Sequence, residues 1–231
     1  MSLCLRPLAA AALFVHLAGC SGEPASTNDI AEAPAPIASA TSEAVTGKLV
    51  LAFGDSLYAG YGVPQNESFP AELQTALRKQ GVEATVRNAG VSGDTTAAGR
   101  QRLAYTLDGL PREPDLIVLG LGGNDMLRGI DPRQTDANLR AMLDELKRRE
   151  IPAMLTGMVA APNMGRAFGD RFNAIYPELA KDYGVPLYPF FLEGVVTDRR
   201  LMLPDRVHPN PQGIDRVVAR VAPLVAEQLK R

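Results

Sequence analysis

Leu49-Val50-Leu51-Ala52-Phe53-Gly54-Asp55-Ser56-Leu57 is the stretch from which the fold can be read. A β-branched and aliphatic run that stops at Gly-Asp-Ser predicts a buried strand over residues 48–53, ending in a tight turn with Ser56 at the strand's carboxyl edge. Open α/β sheets hold their ligands at that edge. A serine there is either a nucleophile or a helix N-cap, because Ser and Asp suit both roles. Read alone, the motif favours the cap. The nucleophile needs a base, an orienting acid and oxyanion donors elsewhere in the chain.

Downstream, Ser68-Phe69-Pro70 opens a helix that Gly81 ends, with Leu73, Ala76 and Leu77 on one face. Glu83 to Asn88 reads as a short second strand leading into Ala89-Gly90-Val91-Ser92-Gly93-Asp94-Thr95, where Asp94 or Thr95 caps a helix running to Leu107. Leu116 to Leu121 is apolar without alternation, as a parallel strand covered on both faces should be, and it ends in a Gly122-Gly123-Asn124-Asp125 loop. A helix over 134–149, a strand over 152–158 and a helix over 171–183 follow. Then come an edge strand over 185–190 with two prolines, a short helical piece over 192–197 and a last helix from Pro211. Strands alternating with helices imply βα units around a parallel sheet, an α/β fold in one domain.

Three of the loops therefore stand at carboxyl ends of strands: Asp55-Ser56, Ser92-Gly93-Asp94 and Gly123-Asn124-Asp125. A fourth, near the C-terminus, holds Asp205-x-x-His208. A neutral imidazole can take the proton of a serine hydroxyl while a carboxylate holds its other N–H, and this spacing puts acid and base on one turn. Backbone N–H groups at Ser56 and Gly93 and the side-chain amide of Asn124 would supply oxyanion donors from three successive strand ends. Each residue also has a plainer reading: a turn glycine for Gly93, an N-cap for Asn124, turn chemistry for Asp205.

These blocks, Gly54-Asp55-Ser56-Leu57, Gly93, Gly123-Asn124-Asp125 and Asp205-x-x-His208, match in order those of the SGNH, or GDSL, hydrolase superfamily. Asn88 to Thr95, Leu121 to Gly129 and Tyr176-Pro177-x-Leu179-Ala180 resemble its branch of bacterial thioesterase I, also described as protease I and lysophospholipase L1, and related arylesterases. The resemblance covers about residues 48–230. It implies a flavodoxin-like three-layer αβα sandwich with a five-stranded parallel sheet, and Ser56 as nucleophile, His208 as base and Asp205 as orienter. Ser56, Gly93 and Asn124 would form the oxyanion hole. No metal and no cofactor are expected, and the substrates would be acyl esters or thioesters. By the same resemblance the acyl site draws on Met126, Leu127, Arg128 and Gly129 after the Asn block, and on Ala161 and Pro162 after the fourth strand. Asp55 is expected to anchor its turn.

The net charge of −2 and scattered basic residues give no nucleic-acid surface. Residues 1–19 read as a signal peptide, with Arg6, an apolar run from Pro7 to Leu17, and Leu17-Ala18-Gly19-Cys20 resembling the lipobox of bacterial lipoproteins. Cys20 would carry the lipid and anchor the chain in the periplasm, at the outer membrane. Residues 20–46, rich in Ala, Pro, Ser, Thr and Glu, read as a disordered tether, which leaves 47–231 as the hydrolase domain. Cleavage before Cys20 removes His16, so His208 becomes the single histidine of the mature chain. One His and one terminal Cys speak against a zinc site, and no strand precedes Gly-x-Gly-x-x-Gly. The expected function is a serine esterase or thioesterase acting on aryl esters, lysophospholipids or acyl thioesters through an acyl-enzyme on Ser56. The alternatives are a carbohydrate acetyl-esterase, which the absence of Trp disfavours, and a non-catalytic lipid-binding envelope lipoprotein.

Overall fold

In a computed structural model that describes residues 47–230, β1 (Lys48–Gly54) is enclosed from Leu49 onward, with no alternation of buried and exposed residues. The expected signal peptide, tether and lipidation site at Cys20 lie outside the described residues. A strand so enclosed needs neighbours on both edges and helices on both faces. β2 (Ala84–Gly90) pairs along one edge and β3 (Leu116–Gly120) along the other. β4 (Ala153–Thr156) and β5 (Leu187–Tyr188) extend the sheet to the order β2-β1-β3-β4-β5, parallel throughout. α2 (Phe69–Lys79) and α7 (Pro211–Leu229) pack together as one outer layer. α3 (Thr96–Asp108), α5 (Pro132–Arg148) and α6 (Arg166–Tyr183) pack in series as the other, completing the expected αβα sandwich.

The chain leaves β1 towards β2, then crosses back past β1 to form β3 and continues to β4. In a sheet of this order the reversal opens a crevice between the carboxyl ends of β1 and β3. The floor of that crevice is set by register. Gly54 ends β1 opposite Gly90 on one side and Gly120 on the other. Across this row lies a single helical turn, α1 (Ser56–Ala59). A Cβ on Gly54 or Gly120 would come within 2.5 Å of the Tyr58 ring, and one on Gly90 within 2.2 Å of the Ala59 backbone nitrogen. Tyr58 in turn is buried against Phe69 and Phe191, and its hydroxyl shares a 2.8 Å hydrogen bond with Thr156 Oγ1 at the end of β4.

Several expectations shift in detail. Gly122-Gly123-Asn124-Asp125 is not a loop: Gly122, at φ 118°, caps a short helix, α4 (Gly123–Leu127), and Asn124 lies inside its first turn. The helical piece expected over 192–197 is a run of turns, interrupted by Gly194 at φ 70°; a 3₁₀ turn follows at Arg199–Leu201. α6 begins at Arg166 rather than at 171, because Gly165 at φ 80° turns the chain into it. β5 keeps only two of its six expected residues, flanked by Pro186 and Pro189, which cannot donate to a ladder.

Two buried carboxylates tie the strand-end segments together. Asp125 accepts from the Thr96 N–H at 2.8 Å, from the Thr96 hydroxyl and from the Thr135 hydroxyl at 3.2 Å, joining α4 to the starts of α3 and α5. Asp55 caps α1 by accepting from the Leu57 N–H at 3.0 Å, the anchoring role expected of it. Its burial pushes the carboxyl up to about 6 from 3.8; Asp125 and Asp94 add to the rise, and the Leu57 N–H and His208 oppose it. A carboxyl with a raised folded-state pKa is protonated in the native protein while the unfolded chain is already ionised, so stability is lost as pH rises from about 4 to about 6. Asp55→Asn removes that loss. Denaturant unfolding of both proteins across this range should show the variant gaining on the parent with rising pH, by on the order of 1–3 kcal/mol in total. A difference that does not vary with pH would contradict the burial effect.

Candidate active site

The turn after β1 places Ser56 at the start of α1, over the β1–β3 crevice. The cap of that turn is Asp55, so the Ser56 side chain is released from the capping role. Ser56 Oγ lies 2.8 Å from His208 Nε2, and His208 Nδ1 lies 2.7 Å from Asp205 Oδ2. The second carboxylate oxygen of Asp205 accepts from the backbone N–H groups of Val207 at 2.9 Å and His208 at 3.1 Å. Partial burial works against the Asp205 charge, but the imidazole and these two N–H donors outweigh it and hold the carboxyl below its usual range. A carboxylate fixed on Nδ1 selects the tautomer in which Nε2 is free to accept from a hydroxyl.

The loop carrying these two residues is closed on itself. Leu203 N–H donates to the His208 carbonyl at 2.8 Å, Met202 and Pro209 form an isolated antiparallel bridge, and Arg206 takes φ 59° at the tip. The Asn210 side chain caps α7 by accepting from the Gly213 N–H at 3.0 Å, fixing where the loop ends.

Opposite His208 stands the segment after β2. Gly93 has φ 86°, a conformation that L side chains rarely adopt, and the segment is held from several sides. Val91 N–H donates to the Gly54 carbonyl at 3.0 Å; Arg128 Nη2 donates to the Gly93 carbonyl at 2.8 Å; Asn124 Nδ2 donates to the Asp94 carbonyl at 3.0 Å. Arg102 is the residue that sequence reasoning missed. Its Nε donates to Asp94 Oδ2 at 2.6 Å, its Nη2 to the Gly54 carbonyl at 2.9 Å, and its guanidinium covers the Phe53 ring at 4.0 Å. One side chain thus fastens the end of β1 to the segment after β2. The only signal in the sequence is the eight-residue spacing from Asp94, which reaches across the first turns of α3.

Ser56, His208, Gly93 and Asn124 share one cleft of about 260 Å³, lined also by Asp55, Leu57, Tyr61, Ser92, Gly123, Leu127 and Val207. Of the six residues expected at an acyl site, Leu127 is on this lining and the other five are not. Met126 is buried, and its sulfur accepts from the Ala161 N–H at 3.1 Å, so the two expected segments meet there rather than on the lining. Arg128 is spent on the Gly93 carbonyl, Gly129 closes the turn after α4 at φ 64°, and Pro162 opens a 3₁₀ turn. Among the described residues no group of three or more His, Cys, Asp or Glu side chains is placed to hold a metal ion.

A serine hydroxyl, an imidazole and a carboxylate in hydrogen-bond series, at a cleft shared with Gly93 and Asn124, can perform acyl transfer. Comparison with known proteins agrees with that chemistry. Residues 52–216 match the GDSL-like lipase/acylhydrolase family. An arylesterase of Vibrio mimicus is 40% identical over 191 residues, covering 83% of this chain and 94% of the relative. Thioesterase 1/protease 1/lysophospholipase L1 of Escherichia coli K12 is 38% identical over 189 residues, covering 80% and 88%. Among solved structures, AlinE4, an SGNH-hydrolase family esterase, shares 49% identity and superposes with a TM-score of 0.68, covering 78% of this chain and 96% of that one. TesA shares 34% identity with a TM-score of 0.74, covering 78% and 99%. With the blocks in order, the sheet topology and the extent of these matches, the chain belongs to the GDSL-like lipase/acylhydrolase family of SGNH hydrolases.

Proposed function

We propose that the protein is a serine esterase and thioesterase that hydrolyses acyl esters, among them aryl esters, lysophospholipids and acyl thioesters, through an acyl-enzyme on Ser56. The observation that carries this reading is the unbroken series Ser56 Oγ, His208, Asp205, with links of 2.8 and 2.7 Å, opening into a cleft shared with Gly93 and Asn124. The relatives' names, arylesterase and thioesterase 1/protease 1/lysophospholipase L1, support the substrate class.

In this reading His208 Nε2 accepts the Ser56 proton as Oγ attacks the carbonyl carbon, and the carbonyl π pair moves onto oxygen. That oxyanion is received by the backbone N–H groups of Ser56 and Gly93 and by the Asn124 amide. One Asn124 N–H is engaged by the Asp94 carbonyl at 3.0 Å; the other lies only loosely against Asp55 Oδ2, at 3.5 Å, and is the one offered to substrate. Collapse breaks the bond to the alcohol oxygen or thiol sulfur, which leaves with the proton from His208. Water then gives its proton to Nε2, attacks the acyl carbon, and Ser56 departs with that proton as the acid is freed.

We also propose that Cys20 bears a lipid that anchors the enzyme to the bacterial envelope, a reading supported by Leu17-Ala18-Gly19-Cys20. Cys20→Ala should shift the protein from the membrane fraction to the soluble one and abolish incorporation of labelled fatty acid. Unchanged partitioning would dismiss the anchor.

The nucleophile is tested with a fluorophosphonate probe. The parent should be labelled and Ser56→Ala should not, with ester turnover lost together with the label; a Ser56→Ala protein that still hydrolyses esters would end the esterase mechanism, and an unlabelled parent would favour the lipid-binding alternative. The support of the oxyanion loop is tested at Arg102. Arg102→Met should lower kcat by about tenfold or more while KM moves little, with partial recovery in Arg102→Lys, since losing a donor outright costs about 10²–10³ and here it is only displaced. An effect confined to thermal stability would make Arg102 a fold residue alone.

A further inference from the structure

The catalytic geometry fixes which side of the cleft each part of an ester must occupy. If the esterase reading holds, the carbonyl oxygen lies towards Gly93 and Asn124, and the departing oxygen lies within reach of His208 Nε2, because that nitrogen delivers its proton. The substituent on the departing oxygen therefore runs along the His208 side of the cleft. What stands there is Tyr61. Its ring centroid is 4.3 Å from that of the imidazole, with the planes tilted by 32°. Its backbone is tied to the nucleophile, since Tyr61 N–H donates to the Ser56 carbonyl at 3.2 Å. Gly62, at φ 73°, lets the same segment press on the acid–base loop: a Cβ there would come within 2.6 Å of Leu203 Cδ1. An aromatic side chain so constrained should be covered, yet Tyr61 is 52% exposed and lines the cleft, as does Val207, exposed by 39%.

We propose that Tyr61, with Val207, forms the wall that receives the alcohol part of the substrate and selects esters whose departing group is aromatic. The imidazole covers one side of the ring and leaves the remainder open to the cleft. A phenyl group carried on the departing oxygen can meet it edge-on or offset, the two arrangements that aromatic rings favour. A saturated ring of the same size gains only burial.

Two butyrate esters separate these effects. The 2-phenylethyl and 2-cyclohexylethyl esters carry the same acyl chain and alkoxides of nearly equal basicity, and they differ in the aromaticity of the departing group. Tyr61→Phe should preserve the ratio of their kcat/KM values. Tyr61→Leu should lower the aromatic-to-saturated ratio by about two- to tenfold, the range expected for one aromatic pair. If Tyr61→Leu slows both esters equally, Tyr61 acts only by holding His208 and the specificity proposal is overturned. A ratio that is unchanged with both rates intact overturns it as well. A parent protein that hydrolyses neither ester and resists the fluorophosphonate removes the esterase reading, and this proposal with it.

Discussion

Parallel pairing of β1 with β2 and β3 in one register brings Gly54, Gly90 and Gly120 level at the carboxyl edge, and the site depends on that row. Strand spacing in a sheet is set by backbone hydrogen bonds and leaves no freedom to widen. A helical turn can cross the strand ends this closely only where they carry no side chain. Tyr58 and Ala59 occupy the space that three Cβ atoms would fill. The height of Ser56 above the sheet is thus determined by what three residues lack.

From this seat the remaining links run outward through polar groups rather than through the core. Arg102 binds the end of β1 to the segment after β2, and Asp125 binds α4 to the starts of α3 and α5. The three strand-end segments that bear Ser56, Gly93 and Asn124 are therefore fixed to one another directly. Movement of an outer helix has to break charge-assisted hydrogen bonds before it displaces one of these segments. The fourth segment, bearing Asp205 and His208, is fastened differently, by its own internal hydrogen bonds and by α7.

What could be read from the sequence follows from the range over which each feature is encoded. β1 and β3 are continuous apolar runs stopped by glycine, so their burial and their ends were both legible. Ser56, Gly93, Asn124, Asp205 and His208 were legible because each block is local and their order matches a known family. α4 escaped because five residues show no helical period and its start depends on Gly122 holding a positive φ against Tyr176. β5 was overdrawn because apolar residues between prolines look like strand, although only Leu187 and Tyr188 can pair. Arg102 and Tyr61 escaped for another reason. Their partners are defined only once the chain has folded: a β1 carbonyl for one, an imidazole from the far end of the domain for the other.

The loop from Leu203 to Asn210 has a consequence for how the site fails. Asp205 and His208 are joined by two hydrogen bonds, with a third from the Val207 N–H inside the same turn, whereas a single hydrogen bond joins His208 to Ser56 on another element. Asp205 and His208 therefore form one local unit, and Ser56 belongs to another. Separating the two would break the Ser56–His208 hydrogen bond and the Tyr61 contact with the imidazole while leaving the bonds within the loop in place. The site would then lose the alignment between two locally intact parts before it lost either part.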